Sequence, residues 1–287
     1  MIRYTRTPLG HETQQDAIIF DGVDALDLAA TLECGQAFRW RSCGSGAYSG
    51  VVESELLRVS LENDRLTITG TSPEKVDFWT SYFALDLNYP AIQSDLRRNP
   101  VLRKCIAFAP GIRVLRQPFF ETFITFMISQ NNNIPRIKSI VEKLCQGLGN
   151  EIGTTFDGSV AYAFPSPAAI ASCQESDLAF LRAGYRVPGI LDAAKRVASG
   201  ELNEDALKTM SLAEARAELM KTYGVGPKIA DCVLLYGLGR FDSFPVDVWI
   251  RRAVSILFPN GLPRYTLPIA GIAQQYIFHY ARTLGLQ

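Results

Sequence analysis

A lysine that follows a glycine turn, and an aspartate nineteen residues further on, are the groups of this chain with the clearest potential for covalent chemistry. The turn is Tyr223-Gly224-Val225-Gly226-Pro227 and the lysine is Lys228; the aspartate is Asp247, in Phe244-Pro245-Val246-Asp247-Val248-Trp249. Two glycines let a backbone turn tightly and approach a neighbour. Such a turn can aim successive N–H groups at a phosphate. The residues after Lys228 are mostly apolar (Ile229, Ala230, Cys232, Val233, Leu234, Leu235). Partial desolvation there favours the neutral amine, which is a nucleophile. Each feature alone has a plainer reading: a corner between two helices with a surface lysine, and an aspartate that caps a helix.

Two kinds of element must position these groups. Residues 16–70 read as an antiparallel sheet. Strands are expected at Ala17–Phe20, Ala37–Trp40, Tyr48–Val52, Leu56–Leu61 and Arg65–Thr69, with Asn63-Asp64 as a hairpin turn. After Ser72-Pro73 the period becomes helical, as in Val76, Trp79 and Phe83. Phe119 to Ile128 is a dense apolar helix that halts at Ser129-Gln130-Asn131-Asn132-Asn133, and a second helix runs through Ile137, Ile140, Val141 and Leu144. The Gly, Thr, Ser and Pro of 149–167 read as loop. Shorter helices are expected near 175–181, 188–199, 211–222, 227–238, 248–258 and 267–284.

The chain has 287 residues, 47% hydrophobic and 20% charged, enough for one large or two modest globular domains. No apolar run reaches transmembrane length, and Met1-Ile2-Arg3-Tyr4 opens no signal peptide. Six cysteines are scattered without any Cys-x-x-Cys, which argues against a zinc ribbon or an iron–sulfur loop and for a reduced, cytoplasmic compartment. Net charge is zero, yet residues 97–138 hold eight basic side chains (Arg97, Arg98, Arg103, Lys104, Arg113, Arg116, Arg136, Lys138) against one acidic, Glu121. Overall neutrality therefore hides a basic stretch that reads equally as a nucleic-acid footprint or a solvated face.

Four further segments fall into place beside the turn and the aspartate. They are Cys34-Gly35-Gln36-Ala37-Phe38-Arg39-Trp40, Ser129-Gln130-Asn131-Asn132-Asn133-Ile134-Pro135-Arg136, Gly184-Tyr185-Arg186 and Ala270-Gly271-Ile272-Ala273-Gln274-Gln275-Tyr276-Ile277-Phe278. Alone, Gly35 is a bulge glycine. The asparagines are a helix end and turn, and Arg136 is a solvent-facing charge. Gln274 and Phe278 are a surface amide and a core aromatic. Taken together, the segments resemble the 8-oxoguanine DNA glycosylase/AP lyase family, of the helix–hairpin–helix, Gly/Pro-Asp DNA glycosylase superfamily. The resemblance spans roughly residues 16–284.

That resemblance implies an α+β fold: an antiparallel β (TBP-like) domain over 1–90, then a helical domain over 91–287 with the hairpin at about 213–238. It implies that Lys228 is the nucleophile and marks a bifunctional member, with Asp247 stabilising charge on the sugar. The flipped base would meet the Gly35 carbonyl at N7–H, Gln274 at its Watson–Crick edge, Phe278 on one face and Cys232 on the other. Asn131 would fill the gap in the duplex, and Arg136, Tyr185 and Arg186 would surround the orphaned cytosine. Gly224, Val225 and Gly226 would anchor a phosphate. Tyr223 stands where the family has a proline, and Trp249 where some members have a phosphate-contacting histidine. No cofactor is implied beyond a monovalent cation at the hairpin. The implied partner is double-stranded DNA carrying 8-oxoguanine, met by a monomer with no membrane contact, at the nucleoid in a bacterium. The two histidines, His11 and His279, lie in none of the motifs, which argues against histidine-based catalysis. Rival readings are a glycosylase for another lesion, such as an alkylated purine, and a non-catalytic DNA-binding scaffold.

Overall fold

A computed structural model describes residues 4–285; Met1–Arg3, read above as opening no signal peptide, lie outside the described residues. The sheet comprises β1 (His11–Gln14), β2 (Ala17–Phe20), β3 (Trp40–Ser42), β4 (Tyr48–Val52), β5 (Glu55–Glu62) and β6 (Arg65–Thr69), all antiparallel in the order β1-β2-β6-β5-β4-β3. Leu57 and Val59 of β5 and Leu66 and Ile68 of β6 turn inward at alternate positions, which sets the register. Asn63 and Asp64 join these strands with φ of +51° and +62°, as a two-residue hairpin turn requires.

Three sequence expectations change here. β1 was not anticipated: it is exposed along its whole length, so no apolar alternation announces it, and it is held to β2 by the backbone ladder and the His11–Phe20 ring contact. The strand expected at 37–40 begins at Trp40, because the segment before it is drawn away by Gln36, as described below. The loop expected over 149–167 contains a small hairpin, β7 (Glu151–Thr154) and β8 (Val160–Tyr162), bulged near Gly153. Its glycines and hydroxylated residues bury too little to declare a strand.

The helices are α1 (Leu28–Leu32), α2 (Val76–Tyr82), α3 (Tyr89–Leu96), α4 (Pro100–Phe108), α5 (Phe119–Ile128), α6 (Ile134–Leu148), α7 (Pro167–Ala171), α8 (Val187–Ala198), α9 (Glu204–Thr209), α10 (Leu212–Leu219), α11 (Pro227–Cys232), α12 (Val248–Leu257) and α13 (Ala270–Thr283). One core lies under the sheet, where Ile18, Phe20, Leu57 and Ile68 meet Trp79, Tyr82 and Phe83. The other fills the helical bundle around α5, whose ten residues include eight that are buried, so that helix is the bundle's axis rather than a surface helix. The single helix expected over 227–238 is α11 followed by a wider π turn at Val233–Gly237. Among the described residues no helix is long and apolar enough to cross a membrane. All six cysteines are free thiols.

The basic stretch of 97–138 is not one DNA-facing surface. Arg113 is fully buried, donating to Ala84 O (2.7 Å), Asp24 O (2.7 Å) and Asp24 Oδ1 (3.0 Å), over the Tyr89 ring. Arg116 pairs with Asp86 at 3.0 Å, and Lys138 Nζ donates to Trp40 O at 3.1 Å. These cations are spent on contacts within the fold, and Lys138 ties α6 to β3. Arg113→Met removes the donors from the buried Ala84 carbonyl and the half-buried Asp24 carbonyl and is expected to destabilise the fold by about 3 kcal/mol, read as a lower urea midpoint at unchanged slope.

Candidate active site

Gly224, at φ +77°, turns the chain out of α10. Pro227 then occupies the first turn of α11, where its missing N–H costs nothing. Lys228 is thereby pointed at the C-terminal end of α5. Its Nζ donates to Ser129 Oγ at 3.1 Å and lies 5.3 Å from the centroid of Phe126, whose ring stacks on Tyr236. One turn on, the Cys232 thiol is pushed up to about 11 by burial, with the Lys228 charge opposing. Asp247 caps α12, Oδ1 accepting from Ile250 N at 2.7 Å. The plain reading of Asp247 therefore holds, yet the same side chain also lines the cleft that Lys228 faces.

That cleft, of about 420 Å³, is walled by Gly35, Phe38, Phe126, Ser129, Ile134, Lys228, Asp247, Trp249, Phe278 and Arg282. The Gly35 wall is held by its neighbour. Gln36 is buried, its Nε2 donating to Thr31 O (2.9 Å) and Arg113 O (2.7 Å) while its Oε1 accepts from Leu115 N (2.9 Å). Gln117 Nε2 donates to the Gln36 carbonyl at 2.8 Å. Gly35 is thus fixed at φ +95°, where a side chain is strained; an added Cβ would also lie 3.3 Å from Ile134 Cδ1.

Cys232 and Gln274 lie behind the wall rather than on it. Gln274 is 4% exposed, and its Oε1 has no hydrogen-bond partner among the described residues. An orphaned buried acceptor costs about 1–3 kcal/mol, which a ligand N–H would relieve.

Asn131, Arg136, Tyr185 and Arg186 form a second group beside the cleft. Asn131 is exposed in the turn between α5 and α6, at φ +45°. Asn133, not Asn131, caps α6, its Oδ1 accepting from Arg136 N at 3.0 Å. Arg136 is exposed and touches Arg182 O at 3.4 Å. Tyr185 is exposed and stacks on Arg186. Arg186 itself is buried, donating to the carbonyls of Gln130, Ala183 (3.0 Å) and Asn131 (3.1 Å). Its guanidinium holds the Asn131 turn in place. In the hairpin, Val225 is buried and its N–H is spent on Thr222 O (3.1 Å), whereas the N–H groups of Gly224 and Gly226 have no acceptor among the described residues.

Residues 18–123 match the profile of the 8-oxoguanine DNA glycosylase N-terminal domain, and 124–263 that of the HhH-GPD superfamily of base excision DNA repair proteins. The structure of MBOgg1 in complex with a low-affinity DNA ligand superposes with a TM-score of 0.90 at 40% identity, over 97% of this chain and all of that one. The chain belongs to the 8-oxoguanine DNA glycosylase family. The Clostridium acetobutylicum 8-oxoguanine glycosylase/lyase, in complex with double-stranded DNA containing cytosine opposite 8-oxoG, superposes at 0.88 with 32% identity, over 96% of this chain and 98% of that one. The N-glycosylase/DNA lyase of Saccharomyces cerevisiae is 33% identical over 196 residues, 61% of this chain and 50% of that protein. The chain spans about half the length of the curated relatives it matches. The α+β architecture expected from the sequence, an antiparallel sheet and then a helical hairpin domain, is that of this family.

Sequence reasoning overlooked several cleft residues, among them Phe38, Phe126, Ser129, Ile134 and Arg282. Arg282 follows Phe278 by one helical turn, a spacing that places both on one face and was there to be read. Phe126 carries no such signal, since an aromatic in a dense apolar helix reads as core.

Proposed function

We propose that this chain is a bifunctional base-excision enzyme that flips 8-oxoguanine from duplex DNA, excises it and nicks the abasic strand. The observation that carries the reading is the meeting of Lys228, Asp247, Gly35 and Phe278 on one cleft. These residues come from four distant parts of the chain, and each supplies something that flipping and excision require. Phe278 offers a face for stacking. The Gly35 carbonyl accepts from N7–H, which 8-oxoguanine has and guanine lacks. Gln274 Oε1 accepts from the N–H groups of the Watson–Crick edge, and Cys232 backs the other face of the ring.

Lys228 Nζ attacks C1′ as the glycosidic bond breaks, and the base departs with that electron pair and takes a proton. Opening of the sugar ring turns the C1′ adduct into a Schiff base. Loss of a C2′ proton then expels the 3′ phosphate by β-elimination. The Asp247 carboxylate stabilises the positive charge that develops on the sugar. Asn131 fills the vacated space, and Arg186 positions its turn while packing with Tyr185 around the orphaned base. The hairpin binds a phosphate through the N–H groups of Gly224 and Gly226, with Trp249 on the adjoining strand contact. Val225 contributes by packing rather than by its N–H. A monovalent cation held by hairpin carbonyls belongs to the same reading, as do a monomeric state and action at the nucleoid. A nicking assay across duplexes bearing 8-oxoguanine or alkylated purines tests it. Release of the alkylated bases with 8-oxoguanine left intact overturns it.

The opposite base follows from Arg136. Its guanidinium has donors and no acceptor. Cytosine presents O2 and N3 as acceptors, whereas adenine presents N1 beside an N6 donor that the guanidinium cannot satisfy. A preference for cytosine of about 1–3 kcal/mol is expected, the scale of one bidentate base contact. In single-turnover excision, Arg136→Met should narrow the ratio of rates opposite C and A while keeping activity opposite C. An unchanged ratio assigns Arg136 to a phosphate or to solvent.

A further inference from the structure

Arg282 projects from the last turn of α13 into the cleft, half-buried. Its guanidinium lies 5.5 Å from the centroid of Phe278 and takes part in no ion pair or protein hydrogen bond among the described residues. A Cβ built on Gly35 would lie 3.3 Å from Arg282 Nη1 and 3.5 Å from Phe278 Cε1, so these three residues form one corner of the cleft. The buried Cys34 thiol also lies within reach of the Arg282 charge. A cation without a counter-ion, with its planar fork against a cleft, is a donor set awaiting an acceptor.

We infer that Arg282 is a specificity-determining residue that donates to the C8 carbonyl oxygen of the oxidised purine, beside the N7–H taken by Gly35. This inference rests on the reading of the cleft as the lesion pocket. The lesion's Hoogsteen edge runs O6 acceptor, N7–H donor, O8 acceptor. A carbonyl and a guanidinium side by side complement the N7–H and O8 pair. Guanine presents two acceptors, N7 and O6, and a bare C8–H. Its N7 lone pair faces the Gly35 carbonyl and its C8–H gives Arg282 nothing. The corner therefore separates the two bases at two adjacent atoms instead of one.

The test measures equilibrium binding in the Lys228→Gln background, where no turnover blurs affinity. Four duplexes are compared, each opposite cytosine: 8-oxoguanine, guanine, 8-oxoadenine, and a tetrahydrofuran abasic analogue that keeps the sugar and phosphates. Tighter binding of 8-oxoguanine than guanine by Lys228→Gln alone upholds the parent reading; its absence overturns that reading separately. Adding Arg282→Met should weaken 8-oxoguanine binding about tenfold or more, the scale of one hydrogen bond from a charged donor, with the abasic analogue within about twofold. The abasic duplex also shows that the variant is folded. Arg282→Lys should recover part of the loss, since it keeps the charge and loses the fork. 8-Oxoadenine keeps O8 and N7–H but carries an amine in place of O6, so a matching loss there supports the O8 contact. Equal losses on the abasic duplex make Arg282 a phosphate ligand and overturn the inference. So does no loss on any duplex, and so does a loss shared by 8-oxoguanine and guanine but absent from 8-oxoadenine, which moves the contact to O6.

Discussion

Lys228→Gln is expected to yield no borohydride-trapped protein–DNA adduct and to lose at least about a thousandfold in single-turnover excision. The proposed covalent bond forms at Nζ, and an amide nitrogen is no nucleophile. Binding of lesion DNA should survive, because Gly35, Phe278 and the hairpin remain. Glutamine keeps an N–H donor for Ser129 Oγ, the group that Nζ meets at 3.1 Å, so the end of α5 should stay in place. A trapped adduct with this variant would place the nucleophile elsewhere. Excision without trapping in the wild type would leave a base-only glycosylase, in which Lys228 merely lines the cleft.

Asp247→Asn separates the two roles of that side chain. As a cap, Asp247 accepts from Ile250 N, and asparagine caps a helix equally well. Thermal stability should therefore change little. As an electrostatic group, the carboxylate counters charge present in the transition state and absent from the bound ground state. Excision should fall about a hundredfold to a thousandfold while the Kd for lesion DNA moves within about threefold. Equal losses in affinity and rate would reduce Asp247 to its cap.

Much of the candidate site was legible because its parts sit in short, dense motifs. Lys228 follows a glycine turn, Asp247 opens an apolar helix, and Gly35 stands in a segment whose neighbours are buried. Local rules suffice for such features: a cap, a turn, a helical face. β1 escaped because an edge strand exposed along its whole length leaves no apolar period. β7 and β8 escaped because a short, bulged hairpin buries little.

The sequence by itself determined which residues are able to act: the residue types, their local turns, and the helices that carry them. Tertiary structure alone decided what each group faces. It turned Arg113 and Arg186, arginines with the same chemistry as Arg136, into internal clamps by surrounding them with carbonyls. It left the Arg282 guanidinium without an ion pair or hydrogen bond among the described residues, beside Gly35, which precedes it in the chain by more than two hundred residues. Periodicity and capping act over a few residues, so they report an element and its buried face. Whether a charge is spent on the fold or kept for a ligand depends on which distant backbone carbonyls reach it, and only the packed chain brings those together.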